Sequence, residues 1–144
     1  MWQAGDNIGA EVVNEPGAIT WDDLRTPDPD AARAFYSAVF DYRTEAMPEA
    51  GDDDTLVHLP GDDAPAGGMG GMFGAPDGTP AHWVVYFGVA DATAAVQVAE
   101  RHGGTVVAPP FDTPYGQMAG LMDPQGAMFW VAQVDTAAQP DRSG

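Results

Sequence analysis

Residues 18–40 read AITWDDLRTPDPDAARAFYSAVF and predict a β-strand that leads directly into an α-helix. The first eight residues begin with β-branched and aromatic side chains, which are typical of strands. Asp28 is the predicted N-cap of the helix, because the proline after it needs no N–H donor in the first helical turn. Within the helix, apolar side chains recur every three or four residues and predict one core-facing stripe. The stripe consists of Ala32, Phe35, Tyr36 and Val39.

The same pattern restarts in the second half of the chain. Residues 83–89 read WVVYFGV and predict a strand, and Asp91 precedes a predicted helix over 92–102 that ends at two glycines. Each helix is followed by three shorter predicted strands, with a loop expected over 109–116. These strands cover residues 42–47, 55–59, 67–73, 105–108, 117–122 and 127–134. The sequence therefore predicts an α+β fold of two βαβββ modules, which form a curved mixed-sheet cup with the helices outside.

The charge balance excludes several classes of partner. The 144 residues include 5 Lys and Arg against 22 Asp and Glu, which gives a formal net charge of -17. A surface with this charge repels nucleic acid and anionic membranes. The acidic runs at 51–54 and 61–63 are interpreted as solvated loops, because they lack the ligand spacing of a calcium-binding loop.

The chain has no cysteine, which excludes disulfides, thiolate metal sites and cysteine nucleophiles. No apolar run approaches the roughly 18 residues that a membrane span requires. The first residues lack the basic and then apolar profile of a signal peptide. We therefore expect a cytoplasmic protein that does not contact membranes.

Several short motifs occur in an order and spacing that are more specific than any one of them alone. They are WDDL at 21–24, PD at 27–28 with AARAFY at 31–36, HWVVYF at 82–87, PYGQMA at 114–119 and DPQGAMF at 123–129. Over residues 18–134 the chain thereby resembles the glyoxalase/bleomycin-resistance (vicinal-oxygen-chelate) superfamily. Its first residues resemble the connector before the second domain of two-domain actinobacterial members. The expected organisation is a linker or strap over 1–17, one glyoxalase-like domain over 18–135 and a flexible tail over 136–144.

The resemblance implies a metal ion held by one side chain from each of four strands. At the corresponding positions stand Trp21, Gly70 or Gly71, Val84 and Trp130. None of these residues coordinates a metal. Shifting the alignment by one residue would not supply all four ligands, because neighbouring side chains on a strand point out of the cup. We therefore predict no metal and no other cofactor. His82 shares strand parity with Val84 and is an alternative ligand, although a histidine at the start of a strand is usually structural.

Aromatic side chains replace the metal ligands in this reading. The predicted ligand-binding residues are Trp21, Asp23, Arg25, Val84, Tyr86, Tyr115 and Trp130, with Phe111 as a further candidate. Such a lining suits a flat, apolar molecule, but the same rings could instead fill the cup as core. Asp23 and Arg25 form a possible substrate clamp or a structural ion pair. Asp23 and Tyr86 are the candidates for acid–base catalysis.

Three hypotheses about function follow from these features. The leading one is a metal-independent protein that binds a small aromatic molecule, in resistance or secondary metabolism. The second is a glyoxalase-like enzyme, of lyase or dioxygenase/hydroxylase type, with non-standard catalytic residues. The third is a structural half of a larger two-domain assembly.

Residues 2–13 include Trp2, Ile8, Val12 and Val13, which is an unusual composition for a free tail. We interpret this segment as a strap laid across a neighbouring subunit and expect a homodimer. Its isologous interface should exceed about 1,000 Å² in total. Since two copies of net charge -17 repel each other, dimerisation should strengthen as salt is raised.

Overall fold

The computed structural model describes residue 10 and residues 12–135, and the chain divides into two compact units. The first unit is Trp21–Val85, and the second unit is Tyr86–Gly144 together with Met1–Thr20. In chain order the elements are β1 (Ile19–Arg25), α1 (Pro29–Phe40), β2 (Arg43–Ala46), β3 (Thr55–His58), β4 (Pro65–Gly70), β5 (His82–Val89), α2 (Ala92–Arg101), β6 (Thr105–Thr113), β7 (Gly116–Met122) and β8 (Met128–Gln133). The tail expected over 136–144 and most of the expected strap lie outside the described residues, so these boundaries stay predictions.

The first unit is a mixed sheet with α1 packed on it. Its strand order is β2-β3-β4-β1, in which β1 runs parallel to β4 and the other neighbours are antiparallel. The buried core consists of Leu24, Val57 and Met69. Ala32 and Tyr36 of α1 pack against it and hold the helix on the sheet.

The second unit repeats this arrangement with α2. Its strand order is β5-β8-β7-β6, with β5 parallel to β8 and the other neighbours antiparallel. Its core contains Ala92 and Val96 of α2 and three strand residues, Ala119, Leu121 and Val131. The predicted α+β class and the two βαβββ modules are confirmed.

Helix α1 begins as predicted but presents its apolar side chains differently. The Asp28 carboxylate accepts a hydrogen bond from the Ala31 backbone N–H at 3.0 Å, which caps the helix. The predicted single stripe is wrong in part, because Phe35 and Val39 are exposed, at 61% and 53%. The small core beneath the helix covers only the row that Ala32 and Tyr36 form at i, i+4 spacing.

Two strands differ in length from their prediction. β4 ends at Gly70, not at residue 73, and Phe73 has a φ of 44°, which no strand residue adopts. β6 continues to Thr113 through the segment expected to be a loop. Its pairing with β7 shifts register between Ala108 and Phe111. This irregularity accommodates two prolines on an edge strand, where no ladder donor is needed.

The two predicted stop signals of the second unit are confirmed. Gly103 follows α2 with a φ of 84°, and the Gly104 N–H donates to the Ala99 carbonyl at 2.9 Å. The Asp123–Gly126 turn joins β7 to β8, and the Asp123 carboxylate accepts from two backbone N–H groups within it. Over residues 10 and 12–135, neither helix is long and apolar enough to cross a bilayer. The cytoplasmic location stays a prediction.

Candidate functional site

A polar cluster of the first unit is centred on Arg25 of β1. The guanidinium donates to the Asp23 carboxylate at 2.8 Å and to the Asp54 carboxylate at 2.6 Å. The Trp21 indole N–H donates to the other oxygen of Asp23, also at 2.8 Å. The Phe73 ring lies 5.8 Å from the guanidinium carbon, a cation–π distance. We call these five residues the Arg25 cluster, and its contacts hold the Trp21 ring by one edge.

Glycines on the neighbouring strand make room for this cluster. In the parallel register of β1 and β4, Asp23 lies opposite Gly68 and Arg25 opposite Gly70. A Cβ at Gly68 would collide with the Asp23 carboxylate, and one at Gly70 would collide with the Asp54 carboxylate. Gly68 and Gly70 therefore leave the space next to β4 that the Asp23 and Asp54 carboxylates occupy.

Asp22 lies beside the cluster and has a perturbed carboxyl group. Burial raises the pKa of Asp22 above its ordinary value of 3.8, and the neighbouring charge of Asp23 raises it further. Asp22 therefore retains its proton to a higher pH than an exposed aspartate does.

An aromatic cluster occupies the sheet of the second unit. Tyr86 lies opposite Trp130 in the parallel register of β5 and β8, and their rings stack with centroids 5.9 Å apart. Phe111 meets Trp130 edge to face at 5.8 Å. On its other side Trp130 pairs with Gly120 of β7, where a Cβ would lie 3.3 Å from the indole carbon Cε2. We call Tyr86, Phe111 and Trp130 the Trp130 cluster. Its Trp130 ring borders Gly120, which has no side chain.

A family model for the glyoxalase/bleomycin resistance protein/dioxygenase superfamily matches residues 17–131. The chain belongs to this superfamily. The resemblance of the sequence motifs is thereby confirmed.

Named relatives of the superfamily agree with this assignment. The protein named "Putative glyoxylase CFP32" from Mycobacterium tuberculosis is 45% identical over 132 residues, which are 91% of this chain and 49% of that protein. The "Anthracycline biosynthesis protein DauV" of a Streptomyces strain is 36% identical over 137 residues, 95% of this chain and 49% of that protein. The chain thus spans about half the length of the curated relatives it matches.

A solved member of the superfamily has the same fold at low sequence identity. The Mn(II)-bound glyoxalase from Novosphingobium aromaticivorans is similar with a TM-score of 0.56 and 19% identity. The match covers 83% of this chain and 39% of that one. At this identity the likeness shows the fold alone.

The superfamily implies a metal ion, and the residues present do not fit one. The implied ligand positions carry two tryptophans, a glycine and a valine. Over the described residues, no group of three or more His, Asp or Glu side chains is placed to hold a metal. The alternative ligand, His82, has its Nδ1 2.9 Å from the Pro80 carbonyl oxygen, a local contact within its own loop. The absence of a metal and of any other cofactor stays a prediction.

Within each unit the structure brings some of the predicted site residues together. Trp21, Asp23 and Arg25 meet in the Arg25 cluster, and Tyr86 meets Trp130 in the second unit. Val84 is buried in β5, and Tyr115 lies 57% exposed beside β6. Whether these residues bind a ligand stays a prediction.

Sequence reasoning missed two members of the Arg25 cluster. Asp54 was expected to be solvated with its acidic neighbours, but its side chain is only 14% exposed and paired with Arg25. Phe73 was assigned to a strand and instead lies in the turn after β4, against Arg25. The signal that could have located Asp54 is the glycine run of β4, which leaves space for side chains from neighbouring segments.

His58 is a buried residue at the end of β3, outside the set of predicted site residues. It is 3% exposed, and among the described residues neither ring nitrogen has a hydrogen-bond partner. Its Nε2 lies 3.5 Å from the Glu45 carboxylate, an ion-pair distance if the ring is protonated. Burial of a polar group without a hydrogen bond costs free energy. His58 therefore lowers the free energy of unfolding.

Proposed function

We propose that this protein binds a flat, apolar aromatic molecule and does so without a metal ion. The observation that carries the proposal is the Trp130 cluster. Trp130 stands where the family resemblance places a metal ligand, and it stacks with Tyr86 and contacts Phe111. Aromatic faces with a few polar groups are the usual lining of sites for planar ligands.

The partial exposure of the cluster supports binding over a filled core. Tyr86 is buried at 8% exposed, whereas Phe111 is 37% exposed and Trp130 is half-buried. The outer rings thus retain apolar surface that a ligand would remove from water. Tyr115 of the same unit belongs to this proposal, and the ligand roles of Trp21, Asp23, Arg25 and Val84 in the first unit stay predictions.

The name of one relative favours a planar ligand. A Streptomyces relative that is 36% identical is named for anthracycline biosynthesis. Anthracyclines are fused-ring aromatic molecules, and stacking between rings is the chemistry that recognises them.

A glyoxalase-like enzyme is the second candidate, favoured by the 45% identical relative named for glyoxylase. The geometry of Asp23 does not favour its use as a general base. One of its oxygens accepts from Trp21 and the other from Arg25, and its side chain is 9% exposed. A base must reach the proton it removes, and these contacts occupy both oxygens.

Tryptophan fluorescence tests the binding proposal. A fused-ring aromatic dye should quench the emission of the wild-type protein, and Trp130→Ala should weaken binding by about tenfold or more. Trp83→Ala is the matched control, because Trp83 lies in the first unit and contacts none of the three rings of the Trp130 cluster. Equal loss of affinity in both variants, or no quenching of the wild type, contradicts the proposal.

A metal analysis tests the second half of the proposal. Protein purified without chelator should contain no stoichiometric Zn, Fe, Mn or Ni, and EDTA should leave the dye affinity unchanged. Loss of dye binding after EDTA, restored by one of these metals, would show that the site is metal-dependent.

A further inference from the structure

The indole N–H of Trp130 differs from those of the other tryptophans that the structure describes. The Trp21 N–H donates to the Asp23 carboxylate at 2.8 Å, and the Trp83 N–H donates to the Tyr36 hydroxyl at 3.2 Å. Among the described residues, the Trp130 N–H has no hydrogen-bond acceptor. Since a largely buried indole usually finds one, this donor is available for a molecule that binds beside it.

The same N–H is also accessible. In the part of the chain that the structure describes, the only side-chain nitrogens or oxygens that are both fully buried and unpaired belong to His58. The Trp130 nitrogen is therefore unpaired without being fully buried. Such a donor costs little free energy in the free protein and gains a partner when a ligand supplies an acceptor.

The neighbours of Trp130 leave room along the edge of the ring that carries the N–H. The indole carbon Cε2, which is bonded to this nitrogen, lies 3.3 Å from where a Cβ of Gly120 would stand. In the strand register, Gly120 pairs with Trp130 on one side and with Ala108 on the other. This row across β8, β7 and β6 thus places only a glycine and an alanine beside the polar edge of the indole.

The angle between two rings of the Trp130 cluster indicates how a planar ligand meets this edge. The rings of Phe111 and Trp130 are inclined at 89°, so a flat molecule that stacks on one of them presents its edge to the other. Phe111 is 37% exposed and retains more free surface than Tyr86, which is 8% exposed. A ligand stacked on Phe111 therefore turns its edge toward Trp130, where an acceptor on that edge can meet the N–H.

The charge of the chain restricts which acceptor the ligand can carry. A carboxylate or a phosphate is repelled by a net charge of -17, and an ammonium group has no lone pair to accept with. A carbonyl oxygen is a neutral acceptor, and conjugation with the rings keeps it in their plane. It also withdraws electrons from the ligand, whose less negative face then stacks better on the negative face of a phenyl ring.

We infer that the ligand of the Trp130 cluster is a neutral aromatic ketone or quinone whose ring carbonyl accepts a hydrogen bond from the Trp130 indole N–H. This inference rests on the proposed function and adds the chemical group that the ligand carries. Trp130 then distinguishes planar molecules of equal size, because a ligand without the carbonyl covers the donor and leaves it unpaired.

Equilibrium dialysis with two matched probes tests the inference. Fluorenone and fluorene share one planar ring system and differ in a carbonyl that replaces a methylene group. Burial of apolar surface alone favours fluorene, because it is the less polar of the two. We expect the wild-type protein to bind fluorenone about three- to tenfold more tightly, which is the range for one net hydrogen bond.

Two phenylalanine variants assign this preference to one N–H group. Trp130→Phe keeps an aromatic ring and removes the donor, so it should abolish the preference for fluorenone. Trp83→Phe is the matched control, because its N–H is bonded to Tyr36 in the first unit, and the variant should retain the preference. Matching melting temperatures show that both variants fold.

Nuclear magnetic resonance gives a measurement that needs no variant. In the ¹⁵N-labelled wild-type protein, the assigned indole proton of Trp130 should move downfield when fluorenone binds, as a proton does in a new hydrogen bond. Fluorene should not produce this shift. The measurement remains decisive if Trp130→Phe does not fold.

The outcomes separate this inference from the proposed function. Equal affinity of the wild type for both probes, or a fluorenone preference that survives in Trp130→Phe, overturns the inference and leaves aromatic binding intact. An indole signal of Trp130 that stays in place at saturating fluorenone overturns it as well. Binding of neither probe overturns both the inference and the proposed function.

Discussion

Tyr86 and Trp130 lie directly opposite each other on the parallel strands β5 and β8, and their rings stack at an interplanar angle of 29°. The strand register places both residues on one face of the sheet, so the stack follows from backbone pairing. On the far side of Trp130, Gly120 has no side chain that would push the indole away from the sheet. The position of the Trp130 ring thus depends on the stacked ring of Tyr86 on one side and on the absence of a side chain at Gly120 on the other.

The first prediction concerns this glycine. Gly120→Ala should displace the Trp130 ring, because the new Cβ would lie 3.2 Å from the Ala108 Cβ and 3.3 Å from the indole. We expect a loss of about 1–3 kcal/mol in unfolding free energy, as overpacked positions show, together with weaker dye binding. Gly71→Ala is the control, since its Cβ would approach one atom only at 3.9 Å. Urea denaturation and dye titration of both variants measure the difference, and equal effects would contradict the role of Gly120.

The second prediction concerns the protonation of Asp22. Its raised pKa means that the folded protein binds this proton more tightly than the unfolded chain does. The resulting stability is fully present below about pH 3.8 and is lost as pH rises through the folded pKa. Asp22→Asn imitates the protonated group, so it should be more stable than wild type at neutral pH, with the gain vanishing in acid. We expect a rise of roughly 1–3 °C in melting temperature, small because the group is partly exposed.

Removal of any acidic charge also relieves repulsion on a chain of this charge, so a control is needed. Asp77→Asn changes the net charge equally at an exposed loop position. Melting temperatures of the two variants across the acid range separate the effects. A gain for Asp22→Asn that equals that of Asp77→Asn at every pH would remove the special role of Asp22.

The third prediction concerns the buried imidazole of His58. His58→Leu should raise the unfolding free energy by about 1–2 kcal/mol, because it removes two buried nitrogens that have no hydrogen-bond partner among the described residues. His58→Ala should instead lower it by about 1–3 kcal/mol, because it leaves a cavity. Urea denaturation of both variants and the wild type measures the difference. A Leu variant less stable than wild type would mean that the ring makes a needed contact.

Local signals in the sequence predicted the parts of the fold that depend on neighbouring residues. The Asp28 cap, the Gly103 helix end and the Asp123–Gly126 turn each involve groups only a few residues apart, and all three were placed correctly. The apolar stripe of α1 was assigned too broadly. Periodicity identifies which residues are apolar, but the width of the core beneath decides which of them are buried.

The Arg25 cluster was less predictable, because its contacts join residues that are far apart in the sequence. Arg25 and Asp54 are separated by 29 residues, and their pairing depends on how β1 and β4 align. Asp23 and Arg25 were expected as a pair because they alternate on one strand. No comparable local rule connects Asp54 to them, so its neighbours in the sequence suggested a solvated loop.

The last prediction concerns this ion pair. Asp54→Asn removes a carboxylate that pairs with Arg25, in a place where both side chains are largely shielded from water. Loss of a partner from a buried pair leaves a charge less well compensated and costs up to several kcal/mol. Because Arg25 keeps Asp23 and stays partly exposed, we expect a smaller loss of about 1–2 kcal/mol. Asp52→Asn makes the same chemical change two residues away at an exposed position and should alter stability by less than about 0.5 kcal/mol. Urea denaturation of both variants decides the matter: if Asp54→Asn is as stable as Asp52→Asn, the contact between Asp54 and Arg25 contributes nothing to the fold.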